Sequence, residues 1–172
     1  MIAKYILFAI VALTADILAV MLAPLAACFY YVKDGREYLH QAWAWTTTHD
    51  APVDSGHIDG YWTTKGYWSR VRWIWRNPAY QVSHWLGYDQ REAVITKHKD
   101  NAETWDTGVP NVAYWTAVNV NDQKAFLYER QWYFYRNRCV EMQFGWKLYR
   151  KDLDLKCMLA LRFSPFKKYG EK

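Results

Sequence analysis

The chain has 172 residues, 52% hydrophobic, 19% aromatic and 23% charged, with a net charge of +5 and a mean hydropathy of −0.35. With 11 Trp, 14 Tyr and 7 Phe against 8 Gly, 5 Pro and 3 Cys, it is neither disordered nor a collagen-like or disulfide scaffold. The negative mean hydropathy excludes a multi-span membrane protein, and the length suits one domain with an appendage.

From Ile2 to Val32 the only charged residues are Lys4 and Asp16. A helix of about 28 such residues spans about 42 Å, enough to cross a bilayer core of about 30 Å with tilt. Leu25-Ala26-Ala27-Cys28 has the form of a lipoprotein cleavage box. The length of the apolar run and its continuation through Phe29-Tyr30-Tyr31-Val32 favour an uncleaved signal anchor instead. Lys4 alone precedes the run, whereas Lys33, Arg36, Lys65, Arg70, Arg72 and Arg76 follow it. The positive-inside rule therefore puts the C-terminal body in the cytoplasm. Three cysteines without CxxC spacing suit a reducing compartment. Asp16, midway along the run, reads either as a neutral acid tolerated by a long helix or shifted toward the interface by tilt, or as part of a proton or ion path or polar glue in a homo-oligomer. Pro24 kinks or ends the helix.

Residues 36–48 read as a short helical or interfacial stretch, and 49–60 as a loop broken by Pro52, Gly56 and Gly60. Within that loop Asp50, Asp54, His57 and Asp59 form a candidate divalent-cation site and, as an alternative function, the centre of a metal-dependent hydrolase. The spacing matches neither an EF-hand nor HExxH, and Asp beside Pro and Gly commonly caps turns. The expectation is a structural loop and no cofactor. There is no G-x-S-x-G, GxxxxGK[ST] or GxGxxG, so the reading leans away from an enzyme.

Periodicity predicts a helix over Tyr67–Arg76, with Trp68, Val71 and Trp75 stacked at i, i+3 and i+7. Asn77-Pro78 ends it, and a second short helix follows up to Gly87. Trp68, Arg70, Arg72, Trp73, Trp75 and Arg76 interleave rings with cations, which suits either nucleic acid or an anionic lipid surface. The adjoining anchor favours lipid and disfavours nucleic acid. Alternating runs at 111–120, 126–134, 139–148 and 155–163, with REAVIT at 91–96, predict a four- to five-stranded antiparallel meander. Turn signals fall at Asn121-Asp122, Arg136-Asn137-Arg138 and Lys151-Asp152. In the strand 140–148, Val140, Met142, Phe144, Trp146 and Leu148 make the apolar face, opposite Glu141, Gln143 and Lys147.

The fold class is thus α+β, divided into a transmembrane signal-anchor helix over 1–32, a Trp-rich interfacial segment over 33–90 and an antiparallel β domain over 91–172. Asp50-Ala51-Pro52-Val53-Asp54, Gly60, Trp75-Arg76-Asn77-Pro78-Ala79-Tyr80, Leu86-Gly87, Gly145-Trp146-Lys147-Leu148 and Ser164-Pro165-Phe166-Lys167 are similar to features of a family of small, uncharacterised bacteriophage membrane-associated proteins. His57 and Ile58 depart from its acidic loop. The resemblance implies a phage protein addressed to the host inner membrane, and it carries no activity. The expected function is non-enzymatic: binding or modulating a host-membrane component, in envelope interference, exclusion or lysis support. The expected partners are anionic lipid and a host membrane or phage protein. A structural subunit of an oligomeric membrane complex or phage particle is the further alternative.

Overall fold

The computed structural model describes residues 1–48, 51–100, 112–135, 138–147 and 156–168. The fold is α+β: a long apolar N-terminal helix, short helices, and a five-stranded antiparallel sheet towards the C-terminus. The chain forms two compact units, Met1–Ala9 with Gly87–Lys172, and Ile10–Leu86.

Helix α1 (Ile2–Ala26) is long and apolar enough to cross a membrane. One stripe of it is covered: Tyr5, Ala12, Ala19, Ala23 and Ala26 are buried, at the spacing that keeps small side chains on one helical face. Asp16 lies half-buried on that same stripe. The opposite face is a broad run of exposed aliphatics, including Ile6, Leu7, Ile10, Ile17, Met21 and Leu25.

The helix stops at Ala26, short of the predicted Val32. Tyr30–Lys33 (β1) and Arg36–Leu39 (β2) form an antiparallel hairpin, so the apolar tail Phe29–Val32 is turn and strand. Asp34 and Gly35 both have positive φ, +51° and +75°, as a two-residue type I′ hairpin turn requires. The predicted helical stretch 36–48 is correspondingly β2 followed by a 3-10 helix, Gln41–Thr46. A short α2 (Ser55–Ile58), α3 (Tyr67–Arg76) and α4 (Tyr80–Trp85) complete this unit. Its core joins Ala23, Ala26 and Ala27 of the α1 end to Leu39, Val53, Val71, Trp73 and Ile74. Burying an aliphatic side chain such as Ile74 or Val71 contributes roughly 1.5–3 kcal/mol.

In the other unit, β3 (Tyr88–Asp89) pairs with β8 (Lys156–Cys157). The main sheet orders β4 (Val94–Asp100), β5 (Val112–Val118), β6 (Lys124–Tyr135), β7 (Arg138–Trp146) and β9 (Leu159–Lys168), all antiparallel. The Asn121-Asp122 turn forms as the sequence requires: Asn119 Oδ1 accepts the Asn121 and Gln123 N–H groups at 3.0 Å each, and Asp122 has φ +55°. The turn at Lys151-Asp152 and residue Leu148 lie outside the described residues, as do Arg136 and Asn137.

On β7 Trp146 is buried, at 2% exposure, as the sequence pattern predicts, but the face assignment over 140–144 needs correction. Glu141 and Gln143 are 2% and 3% exposed, while Val140, Met142 and Phe144 are half-buried. Glu141 and Gln143 are bonded across to β6: Gln131 Nε2 donates to Glu141 at 3.2 Å and Gln143 Nε2 to Glu129 at 3.2 Å, while within β6 Gln131 Nε2 also donates to Glu129 at 3.1 Å. These bonds offset the cost of taking amides and carboxylates out of water. Gly145 sits in this strand at φ +110°, and a Cβ there would strike the Phe126 carbonyl. Tyr88 is buried, with its hydroxyl donating to Gln123 O at 3.1 Å. Burial pushes this phenol up to about 12, with the charges of Cys157 and Asp89 adding to the effect. Asp89 is held below the usual carboxylate range, chiefly by hydrogen bonds from the Arg91 side chain and backbone.

Candidate membrane-interface site

Helix α3 splits into two arcs. Ser69, Arg70, Val71, Trp73 and Ile74 are buried. Trp68, Arg72, Trp75 and Arg76 are exposed, and at positions i, i+4, i+7 and i+8 they share one side of the helix. The predicted Trp68–Val71–Trp75 stack therefore does not exist as one face: Val71 is fully buried, whereas Trp68 and Trp75 are 57% and 47% exposed.

Tyr67 and residues on both arcs complete the C-terminal part of α1. Pro24 has no N–H, so Val20 O lacks its helical donor; Trp75 Nε1 donates to that oxygen at 3.0 Å. Tyr67 OH donates to Pro24 O at 2.9 Å. Arg70 Nε donates to Ala27 O at 2.9 Å, bringing a cation to the negative end of the helix dipole. The Arg70 guanidinium also donates to Glu37 Oε2 at 2.8 Å and lies 3.8 Å above the Tyr30 ring. Orphan carbonyls at a helix end need such donors wherever water is scarce.

Two expected interface residues are thereby reassigned. Arg70 is not offered to lipid, because its charge is spent on Glu37 and Ala27 O, and it is 6% exposed. Trp73 is equally buried, its ring against Trp62 and Tyr61. The acidic partner of Arg70, Glu37, lies 33 positions upstream. Arg72 and Arg76 remain exposed; Arg72 Nη1 donates to Thr64 Oγ1 at 2.9 Å, and Arg76 stacks over Tyr61 at 3.6 Å.

The acidic loop is built differently from a metal cage. Asp54 Oδ1 accepts Arg36 Nε and Oδ2 accepts the Glu37 N–H, both at 3.2 Å, while Arg36 Nη2 donates to Ser55 Oγ at 2.9 Å. His57 Nδ1 lies 3.3 Å from Trp62 O, and Asp59 is exposed. Asp50 lies outside the described residues. Among the described residues no three His, Cys, Asp or Glu side chains gather to hold a metal. Cys139 and Cys157 are buried and Cys28 is exposed, and Cys157 Sγ donates to Tyr88 O at 3.3 Å.

A family of unknown function (DUF7338) matches residues 1–171. The chain belongs to that family. No curated protein and no solved structure matches it.

Proposed function

We propose that this member of DUF7338 is a non-enzymatic, membrane-anchored protein that binds at the anionic surface of a bacterial inner membrane and modulates a component there. The phage origin and host address rest on the sequence resemblance, and the cytoplasmic side on the basic residues that follow α1. One observation carries the reading: the exposed aliphatic face of α1 meets the exposed Trp68–Arg72–Trp75–Arg76 arc at the Trp75–Val20 bond. Aliphatics suit acyl chains, Trp suits the headgroup level, and Arg suits anionic lipid. Asp16 on the covered stripe points to packing within the protein rather than to a lipid-facing role.

The test uses the full chain, because α3 is built on α1. Partition from dilute detergent into vesicles rich in phosphatidylglycerol should exceed partition into phosphatidylcholine vesicles and fall with salt. Arg72→Glu with Arg76→Glu should remove roughly fivefold per residue of that preference without lowering the melting temperature. Equal partition by the variant and the parent, or release of the parent by alkaline carbonate, defeats the proposal.

Tyr5 favours a second reading of how α1 meets the bilayer. Its hydroxyl donates to Ala160 O at 2.9 Å, and its ring packs edge-on against Phe126 and Trp146. A helix lying in the plane of the interface would keep this contact, whereas a crossing helix would carry Tyr5 to the side opposite residue 160. An impermeant reagent distinguishes the two: an N-terminal tag is labelled from the same side as a C-terminal one if α1 lies in the plane, and from the opposite side if it crosses.

A further inference from the structure

On the main sheet, His98 and Lys99 of β4, Val112 and Tyr114 of β5, and Tyr128 and Arg130 of β6 enclose an open cavity of about 490 Å³. His98 stacks on Tyr114 with ring centres 5.0 Å apart, and its Nε2 lies 2.6 Å from Thr116 Oγ1. Arg130 lies over the Trp132 ring at 4.8 Å. Of the six lining residues two are cations, one is an imidazole and none is an acid. The register extends this floor across the sheet: Val112 faces Arg130, Arg130 faces Met142, and Met142 faces Phe163. In the next row Tyr128 faces Phe144, which faces Leu161. Phe163 is 64% and Leu161 41% exposed. A cationic, ring-lined hollow thus opens directly onto an exposed apolar strip.

We infer that this hollow binds the phosphate headgroup of an anionic phospholipid, with the acyl chains lying over Met142, Leu161 and Phe163. The inference rests on the membrane reading above and adds to it a second, sequence-distant contact. Two cations match a phosphate, Tyr hydroxyls suit its oxygens, and the strip supplies the burial that a free anion would not need. Single-stranded nucleic acid shares the cation and ring chemistry. It makes no use of the aliphatic Met142 and Leu161, which share the strip with the Phe163 ring.

The experiment is a calorimetric titration of the full chain in detergent with short-chain phosphatidylglycerol. Short-chain phosphatidylcholine, inorganic phosphate and a thymidine oligonucleotide serve as comparisons. Phosphatidylglycerol should bind saturably and more tightly than all three. Lys99→Glu and Arg130→Glu should each weaken it by roughly fivefold, and Arg130→Gln should do so in a variant with the parental melting temperature. Phe163→Ala should weaken the lipid but leave the response to phosphate unchanged, which separates a lipid site from a phosphate site. Arg72→Glu with Arg76→Glu must leave this titration unaffected, so failure here and failure of vesicle partition are read separately. Phosphate binding as tightly as lipid, tighter binding of the oligonucleotide, or unchanged affinity in Arg130→Gln overturns the inference.

Discussion

Replacing Arg70 with Leu tests whether α3 caps α1 or faces lipid. In the parent the guanidinium bonds Ala27 O and Glu37 and is itself 6% exposed. Removing it strands a carboxylate and reopens a helix-end carbonyl. Breaking a buried pair costs about 3–5 kcal/mol. Because the Glu37 side chain keeps 25% of its exposure, water recovers part of the loss and the low end, about 3 kcal/mol, applies. For a chain of 172 residues that is a fall of roughly 6–12 °C in melting temperature, read by intrinsic fluorescence of the full chain in detergent. Pairing Arg70→Leu with Glu37→Leu should cost less than the sum of the two, with a coupling of roughly 0.5–3 kcal/mol. A fall below about 2 °C, accompanied by loss of the preference for anionic vesicles, refutes the capping assignment and returns Arg70 to the surface.

Trp75→Phe keeps the ring but removes the donor to Val20 O; thermal melting should show a loss of about 1 kcal/mol in detergent and more in a bilayer, where water cannot replace the indole. Asp54→Ala should lower the melting temperature by an amount worth about 1–3 kcal/mol, equally in chelator and in Ca²⁺, Mg²⁺, Mn²⁺ or Zn²⁺. A cation-dependent rise present in the parent and absent in the variant would make the loop a metal site instead. Tyr88 keeps its proton up to about 12 in the folded chain, so between roughly pH 10 and 12 the unfolded state loses protons first and stability falls. Melting followed through that window should show the decline in the parent and a smaller one in Tyr88→Phe.

Much of the architecture was legible in local pattern, and the remainder depends on pairs far apart in the chain. Hydropathy located α1, and the 3.6-residue period located α3 at Tyr67–Arg76, because both signals are contained within one element. Where α1 ends is a different matter. Phe29–Val32 is as apolar as the helix before it, and the stop is made by Pro24 together with donors from α3 more than forty residues away. The Asp34-Gly35 pair between YYVK and REYL was an available hairpin signal, masked by the apolar run. Arg70 resembled its exposed neighbours because nothing local distinguishes a cation destined for Glu37 and Ala27 O. On β7 the alternation separated two faces correctly, yet burial went to Glu141 and Gln143, whose partners Glu129 and Gln131 lie on another strand. The acidic loop looked like a ligand set, and its Asp54 is occupied by Arg36 from β2.

In the proposed arrangement lipid covers the aliphatic face of α1 while α3 closes its end. Spin labels at Leu7, Ile17 and Met21, all exposed positions, test it most directly in the full chain reconstituted with phosphatidylglycerol. Cys28→Ser removes the exposed thiol, and Cys139 and Cys157 are buried away from the label. All three labels should relax strongly with oxygen, which concentrates in the bilayer, and weakly with a water-soluble nickel chelate. Strong relaxation by the chelate at Ile17 and Met21, matching that of a label on the exposed Lys124, would place this face in water and rule out a lipid-covered α1.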